Sequence, residues 1–223
     1  PAADRLEAEL IFLKKCDLEE VEARREELRG KIVVAPYHPV PRQVKMPIAA
    51  AAGAVALLEA RSVAGGLQPA RTCAFNRIGD IPTASISRED ADYLQRLAKR
   101  KGSVRLRLSL ESVIEWQTSW NVVGLIRGRE IEQEYVALGG HYDSWHVGSG
   151  AVDNGTGVVA VLEAARGLAQ HKEHLRRGVR FIFFGVEELG LVGSWAYVHQ
   201  HVNELDHAVL MINNDVGGRP IRL

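Results

Sequence analysis

Four short stretches carry side chains able to do chemistry together: His141-Tyr142-Asp143, Asp153-Asn154, Glu187-Glu188 and Asn213-Asn214-Asp215. Imidazole nitrogen and carboxylate oxygen are the donors zinc accepts, and a catalytic zinc keeps one position open for water. On this reading His141 supplies a nitrogen, and Glu188 and Asp215 supply oxygens. Asp153 sits where a helix is about to begin, so it either caps that helix, as Asn154 also can, or bridges two cations through its two oxygens. Asp143 is placed to orient the His141 ring. Adjacent residues leaving a strand point to different sides, so Glu187 remains to act as the base that takes a proton from water. Two cations held close together would acidify that water and polarise a scissile carbonyl. Singly, none of these stretches is informative, because acidic pairs and His-x-Asp triplets are common on solvated surfaces. Their order and combination carry the reading.

Three of the four stretches follow apolar runs that read as strands. Tyr135 to Gly139 precedes His141, Val179 to Phe184 precedes Glu187, and His207 to Ile212 precedes Asp215. In open α/β sheets, ligand sites form beyond the carboxyl ends of strands, so three such exits can deliver their side chains to one edge. Helical periodicity covers Gly155 to Ala169, with Val158, Val161, Leu162, Ala165 and Leu168 on one stripe, and a further helix is expected from Gly193 to His201. Asn121 to Arg127 reads as another strand. Strands alternating with helices predict a mixed or parallel sheet flanked by helices.

The preceding residues have a different texture. Ala3 to Arg29 reads as a helix or as a strand followed by a helix, and Lys31 to Ala35 as β structure closed by prolines. The alanine-rich stretch Ala49 to Arg61 reads as helix, weakened by Gly53. Ile81 to Ile86 reads as a short strand. Ser87 followed by Glu89 and Asp90 signals a helix start, with the helix running to about Arg100, and Val104 to Leu110 alternates as a half-exposed strand. The expected division is 1–112 and 113–223.

The 223 residues carry 28 Lys plus Arg against 28 Asp plus Glu, a net charge of zero that argues against a nucleic-acid partner. No apolar run reaches the length of a membrane span, and there is no signal-peptide pattern at the start. Cys16 and Cys73 are not in a metal-binding spacing. The Asn154-Gly155-Thr156 triplet matches a glycosylation acceptor, but it lies inside the candidate site and is expected to stay unmodified.

The stretches Gly139 to Trp145 and Gly150 to Gly157, Phe184 to Ser194, and Asn213 to Asp215 resemble, in order, the metal motifs of the two-zinc exopeptidases, the group that includes secreted zinc aminopeptidases and plasma glutamate carboxypeptidase. The resemblance implies an α/β/α mixed-sheet core, incomplete here. It also implies two zinc ions per complete site: His141 and Asp215 on one, Asp153 bridging, and Glu188 on the other. Glu187 corresponds to the general base and Asp143 to the carboxylate behind the histidine. Gly30 to Val34, Ala51 to Leu58 and Ile81 to Ser87 resemble a smaller β-rich protease-associated domain, which recasts the alanine-rich stretch as a helix and then a strand.

Peptides or small amides are the implied substrates, with cleavage at the amino end favoured, and a secreted or extracytoplasmic setting is implied with them. That family places a final histidine ligand downstream of the third motif, whereas this sequence ends at Leu223. The resemblance therefore implies that a missing segment or second chain supplies it, and that one zinc is strongly held by these residues. The alternative is a noncatalytic homologue that keeps the motifs as a binding or structural module.

Overall fold

The structure is a computed structural model describing residues 3–66, 74, 77–113, 115–146 and 148–216. It divides into two compact units, Pro1–Trp116 and Gln117–Leu223.

The first unit is a five-stranded sheet. Its strands are β1 (Ala3–Phe12), β2 (Ile32–Pro36), β3 (Ala56–Ala60), β4 (Thr83–Ile86) and β5 (Arg105–Leu110), ordered β4-β3-β2-β1-β5. All pairings are parallel except β1 with β5. The apolar runs Ile32-Val33-Val34-Ala35 and Ala56-Leu57-Leu58 are buried on both faces, as a parallel sheet covered on two sides requires. Helices α1 (Leu18–Ala23), α2 (Arg25–Leu28) and α3 (Arg42–Ala51) pack through Val21, Leu28, Met46 and Ala49 against Val33 and Leu57. Helix α4 (Arg88–Lys101) brings Leu94 and Leu97 to Ile32, Val34 and Leu58.

Local chemistry explains where these elements start and stop. Ser87 Oγ accepts the Asp90 N–H at 3.0 Å, and acidic residues open α4 while Lys99, Arg100 and Lys101 close it, complementing the helix dipole. Of the two readings of Ala3 to Arg29, strand-then-helix is the one that folds. The helix expected over Ala49 to Arg61 ends at Ala51, because Gly53 turns the chain at φ +85° and the apolar residues beyond it join the sheet as β3. Burial between β2 and β4 overrides alanine's helical preference there. Cys16 is a buried free thiol, pushed up to about 12 mainly by burial; Cys73 lies outside the described residues.

The second unit is a four-stranded sheet of β6 (Val122–Ile126), β7 (Ile131–His141), β8 (Arg177–Phe184) and β9 (Ala208–Asn213), ordered β6-β8-β7-β9. Strands β7, β8 and β9 run parallel, and β6 runs antiparallel to β8. Helix α5 (Thr156–Gln170) covers one face, with Val161 against Val179 and Phe181. Helix α6 (Val192–Gln200) covers the other, with Tyr197 against Tyr135, Ile182 and Phe184. Val209, Leu210, Met211 and Ile212 of β9 stay about half exposed. No described helix is long and apolar enough to cross a membrane.

Candidate metal centre

Because β7, β8 and β9 are parallel, their carboxyl ends meet at one edge of the sheet, and the register aligns His141 with Phe184 and Gly139 with Asn213. His141 is the last residue of β7 and is only 2% exposed. Its Nε2 lies 3.1 Å from an Asp153 carboxylate oxygen and 3.2 Å from one of Asp215. One ligand atom from each of the three residues falls within 4.8 Å of the others. The ends of β7 and β9 and the loop before α5 thus bring these three side chains together, and Glu188 is not part of that group.

The other ring nitrogen of His141 faces Asp143. Nδ1 lies 3.0 Å from the Asp143 carbonyl oxygen and 3.5 Å from its carboxylate. A carbonyl only accepts, so Nδ1 carries the proton and Nε2 is directed at Asp153 and Asp215. The Asp143 carboxylate also accepts the backbone N–H groups of Glu187, at 3.0 Å, and Glu188, at 3.1 Å. One side chain thus ties the end of β7 to the turn after β8.

That turn is held from its other side by Asn121, which directly precedes β6. Asn121 Oδ1 accepts from Gly185 N–H at 3.1 Å, and its amide donates to Gly193 O at 2.8 Å. Any Cβ at Gly185 would lie 2.6 Å from Trp120 O, so the close approach of backbone requires glycine. Val186 sits at φ +58°, a strained conformation for a β-branched residue, and it precedes the Glu187-Glu188 pair. The sequence reading missed Asn121; an isolated Asn ahead of a strand gives no local signal of a bond reaching 72 residues along the chain.

The loop carrying Asp153 enters α5 through a tight turn, with Gly150 at φ +64°. Between the two capping candidates, Asn154 takes the role. Its Oδ1 accepts from Gly157 N–H at 3.1 Å, which leaves the Asp153 carboxylate turned toward His141. Tyr142 donates from its hydroxyl to Trp120 O at 2.7 Å.

The electrostatics are those of an acidic cluster around one imidazole. Burial works against a charged His141, but the bond with Asp143 and the charges of Glu187 and Asp215 outweigh it and hold the ring at about 9. Burial, then the charges of Asp153 and Glu187, push Glu188 up to about 7. Burial likewise raises Glu187; His141 partly offsets this, while Asp215, Asp143 and Asp153 add to it. Asp143 goes the other way: burial is outweighed by the His141 bond and the two backbone N–H groups, which hold its carboxyl below the ordinary range. Glu188 Oε1 is buried with no hydrogen-bond partner among the described residues. A buried carboxylate oxygen without a donor needs compensation, and a cation supplies it. One imidazole, two convergent carboxylates and this unpartnered oxygen together suit a divalent metal of the zinc type.

Beside the cluster, a cavity of about 320 Å³ runs between the sheet and α6, lined by apolar residues including Ile182, Phe184, Tyr197 and Met211, with Glu187 and Asp215 also on its wall.

Comparison with known proteins agrees with this arrangement. Residues 121–222 match peptidase family M28, and residues 6–94 match the PA domain. A probable leucine aminopeptidase 2 of Aspergillus oryzae is 35% identical over 196 residues, covering 87% of this chain and 39% of that protein. Human carboxypeptidase Q is 32% identical over 226 residues, covering 94% of this chain and 46% of that protein. Among solved structures, BSAP, a zinc aminopeptidase from Bacillus subtilis, superposes with a TM-score of 0.74 at 30% identity, covering 98% of this chain and 51% of its own. The chain spans less than half the length of these curated relatives. The stretch 121–222 is thus similar to peptidase family M28, and the stretch 6–94 ahead of it to the PA domain.

Proposed function

We propose that this chain carries the metal-binding core of a zinc-dependent exopeptidase that removes residues from the amino end of peptides. The observation that carries the reading is the convergence of His141 Nε2 with Asp153 and Asp215. His141, Asp153 and Asp215 would hold one zinc, and Asp153 with Glu188 would contribute to a second. The first ion then has three protein ligands and the second only two. Catalytic zinc sites use about three protein ligands, so these residues hold one ion strongly, and a ligand from a further segment or a second chain completes the other. We assign residues 1–112 to the PA-like domain and 113–223 to the peptidase domain.

Zinc bound here would polarise a scissile carbonyl and acidify water. The remaining work falls to the chain's own groups. Glu187 takes the proton from water on its carboxylate and returns it to the departing amine, a task suited to a carboxyl raised toward neutrality by burial and like charge. Asp143 holds the imidazole in the tautomer that presents Nε2, and it fixes the backbone of both glutamates. The cavity beside the cluster has Glu187 and Asp215 on its wall, and no Lys or Arg among the described residues lining it. That favours a substrate's free amine over its free carboxylate, and the leucine aminopeptidase relatives point the same way. A binding module without turnover would have no use for a proton acceptor beside the metal ligands.

The test is zinc analysis of the purified chain and of His141→Ala, alongside hydrolysis of an aminoacyl anilide with added zinc. One tightly held zinc per chain is expected in the parent protein and none in His141→Ala. Equal zinc content in the two would remove the assignment.

A further inference from the structure

We propose that Asn154 is a positioning residue, its buried amide locking the Asp153 and Asp215 segments together and thereby setting the spacing between two metal ligands. The inference rests on the zinc reading above.

Asn154 is 1% exposed. Its Oδ1 accepts from Gly157 N–H and from Val216 N–H, each at 3.1 Å, and its Nδ2 donates to Asn214 O at 2.8 Å. Asn214 and Val216 flank Asp215, and Asn154 itself follows Asp153. A single side chain therefore joins the two ligand-bearing segments across some 60 positions of sequence. The backbone leaves room for it through glycines on two other elements. A Cβ at Gly157 would collide with Asn154 Oδ1 and Asn214 O, and one at Gly140 would come 2.9 Å from Asn214 O and 3.3 Å from Asn154 Nδ2.

The carboxylates being positioned have little else to hold them. Asp153 and Asp215 are 50% and 44% exposed at their side chains, so packing does not fix them. Two half-exposed carboxylates keep a ligand spacing only if the backbone beneath them is rigid, and the three amide bonds supply that rigidity in a buried place where each is costly to lose. Partners outside the ligand set commonly govern metal affinity in this way.

The experiment uses the full 223-residue chain, with Zn²⁺ alone titrated against a chromogenic chelator and Co²⁺ as a second probe read by visible absorption. Asn154→Ala removes all three bonds. It is expected to weaken zinc binding about 10- to 100-fold and to alter the cobalt bands, at temperatures where circular dichroism shows the fold intact. Asn154→Asp keeps an oxygen for Gly157 and Val216, while it replaces the donor to Asn214 O with an acceptor and adds a negative charge. It is expected to recover most of the affinity while still shifting the cobalt bands.

A folded Asn154→Ala with parental zinc affinity and cobalt spectrum overturns the proposal, as does an Asn154→Asp that binds no better than Asn154→Ala. Should Asn154→Ala fail to fold, parental cobalt bands in Asn154→Asp overturn it on their own. A parent chain that takes up no zinc overturns the metal reading and this inference together, an outcome distinct from a zinc-binding parent matched by both variants.

Discussion

Both units place helices on two faces of a sheet whose central strands are parallel, and both bury ionisable groups, yet they treat buried charge in opposite ways. In the first unit Lys45 and Glu59 are essentially inaccessible and face each other at 2.5 Å. The Lys45 ammonium also donates to Pro36 O at 2.6 Å and Tyr37 O at 2.9 Å, so all three of its N–H groups are used. Charge there is closed on itself. In the second unit one imidazole faces several carboxylates, and Glu188 keeps a buried oxygen without a donor. Parallel-strand architecture offers a place for a site in both units. Only the unit whose charge is left unbalanced has a reason to recruit a cation.

The largest effect that would test this contrast is on turnover. Glu187→Gln should lower aminoacyl-anilide hydrolysis by about 100- to 10,000-fold while zinc content stays at the parental level. Activity unaffected by the change would show that Glu187 is not the proton acceptor. Next, Lys45→Met removes the buried ammonium that faces Glu59 and should cost the first unit about 3–5 kcal/mol in urea denaturation, with zinc affinity unchanged. A loss below about 1 kcal/mol would mean that closure of the pair contributes little.

A smaller effect is expected of Asp143→Asn, which keeps a similar shape but weakens the hold on His141 and on the Glu187-Glu188 backbone. Zinc affinity should fall about 10- to 100-fold by chelator competition, and parental affinity would detach Asp143 from the site. The smallest effect is in pH. His141 is held at about 9 against an ordinary 6.5, so the stability it contributes is complete below 6.5 and is lost as pH rises through 9. Glu188, at about 7 against 4.5, adds a loss of the same sign between those two values. The metal-free second unit should therefore melt at progressively lower temperature from pH 5 to 9. Saturating zinc should flatten that slope, since the ion takes the place of the protons. A metal-free melting temperature that rises with pH over this range would contradict the charge balance described here.

Much of the second unit was legible from its residues because periodicity and burial agree there. Val179 to Phe184, apolar but for Arg180, becomes β8, flanked on both sides by other strands. Of the stripe Val158, Val161, Leu162, Ala165 and Leu168, the residues Val161, Ala165 and Leu168 pack inward on α5 while Leu162 is 50% exposed. Parallel strands then bring the residues at or just after the ends of β7, β8 and β9, with His141, Glu187 and Asp215 among them, to one edge, while Asp153 arrives on the loop before α5. Where local preference and tertiary burial disagree, the reading weakened. Alanine-rich Ala49 to Arg61 prefers helix in isolation, yet its second half is drawn into β3 by neighbours on both sides. Long-range polar contacts were the least legible. Nothing near Asn121 or Asn154 in sequence announces that one clamps the turn after β8 or that the other reaches the segment around Asp215, because the partner atoms are backbone groups that any residue supplies.

Strand β9 has a consequence for how the protein behaves in a tube. Its four consecutive apolar residues, Val209 to Ile212, alternate between two faces that both remain about half open, and no strand pairs with its outer side among the described residues. Such a ribbon is a template onto which another polypeptide can hydrogen-bond. At high concentration the isolated chain should self-associate through it, and a charged residue at Leu210 should keep it monodisperse.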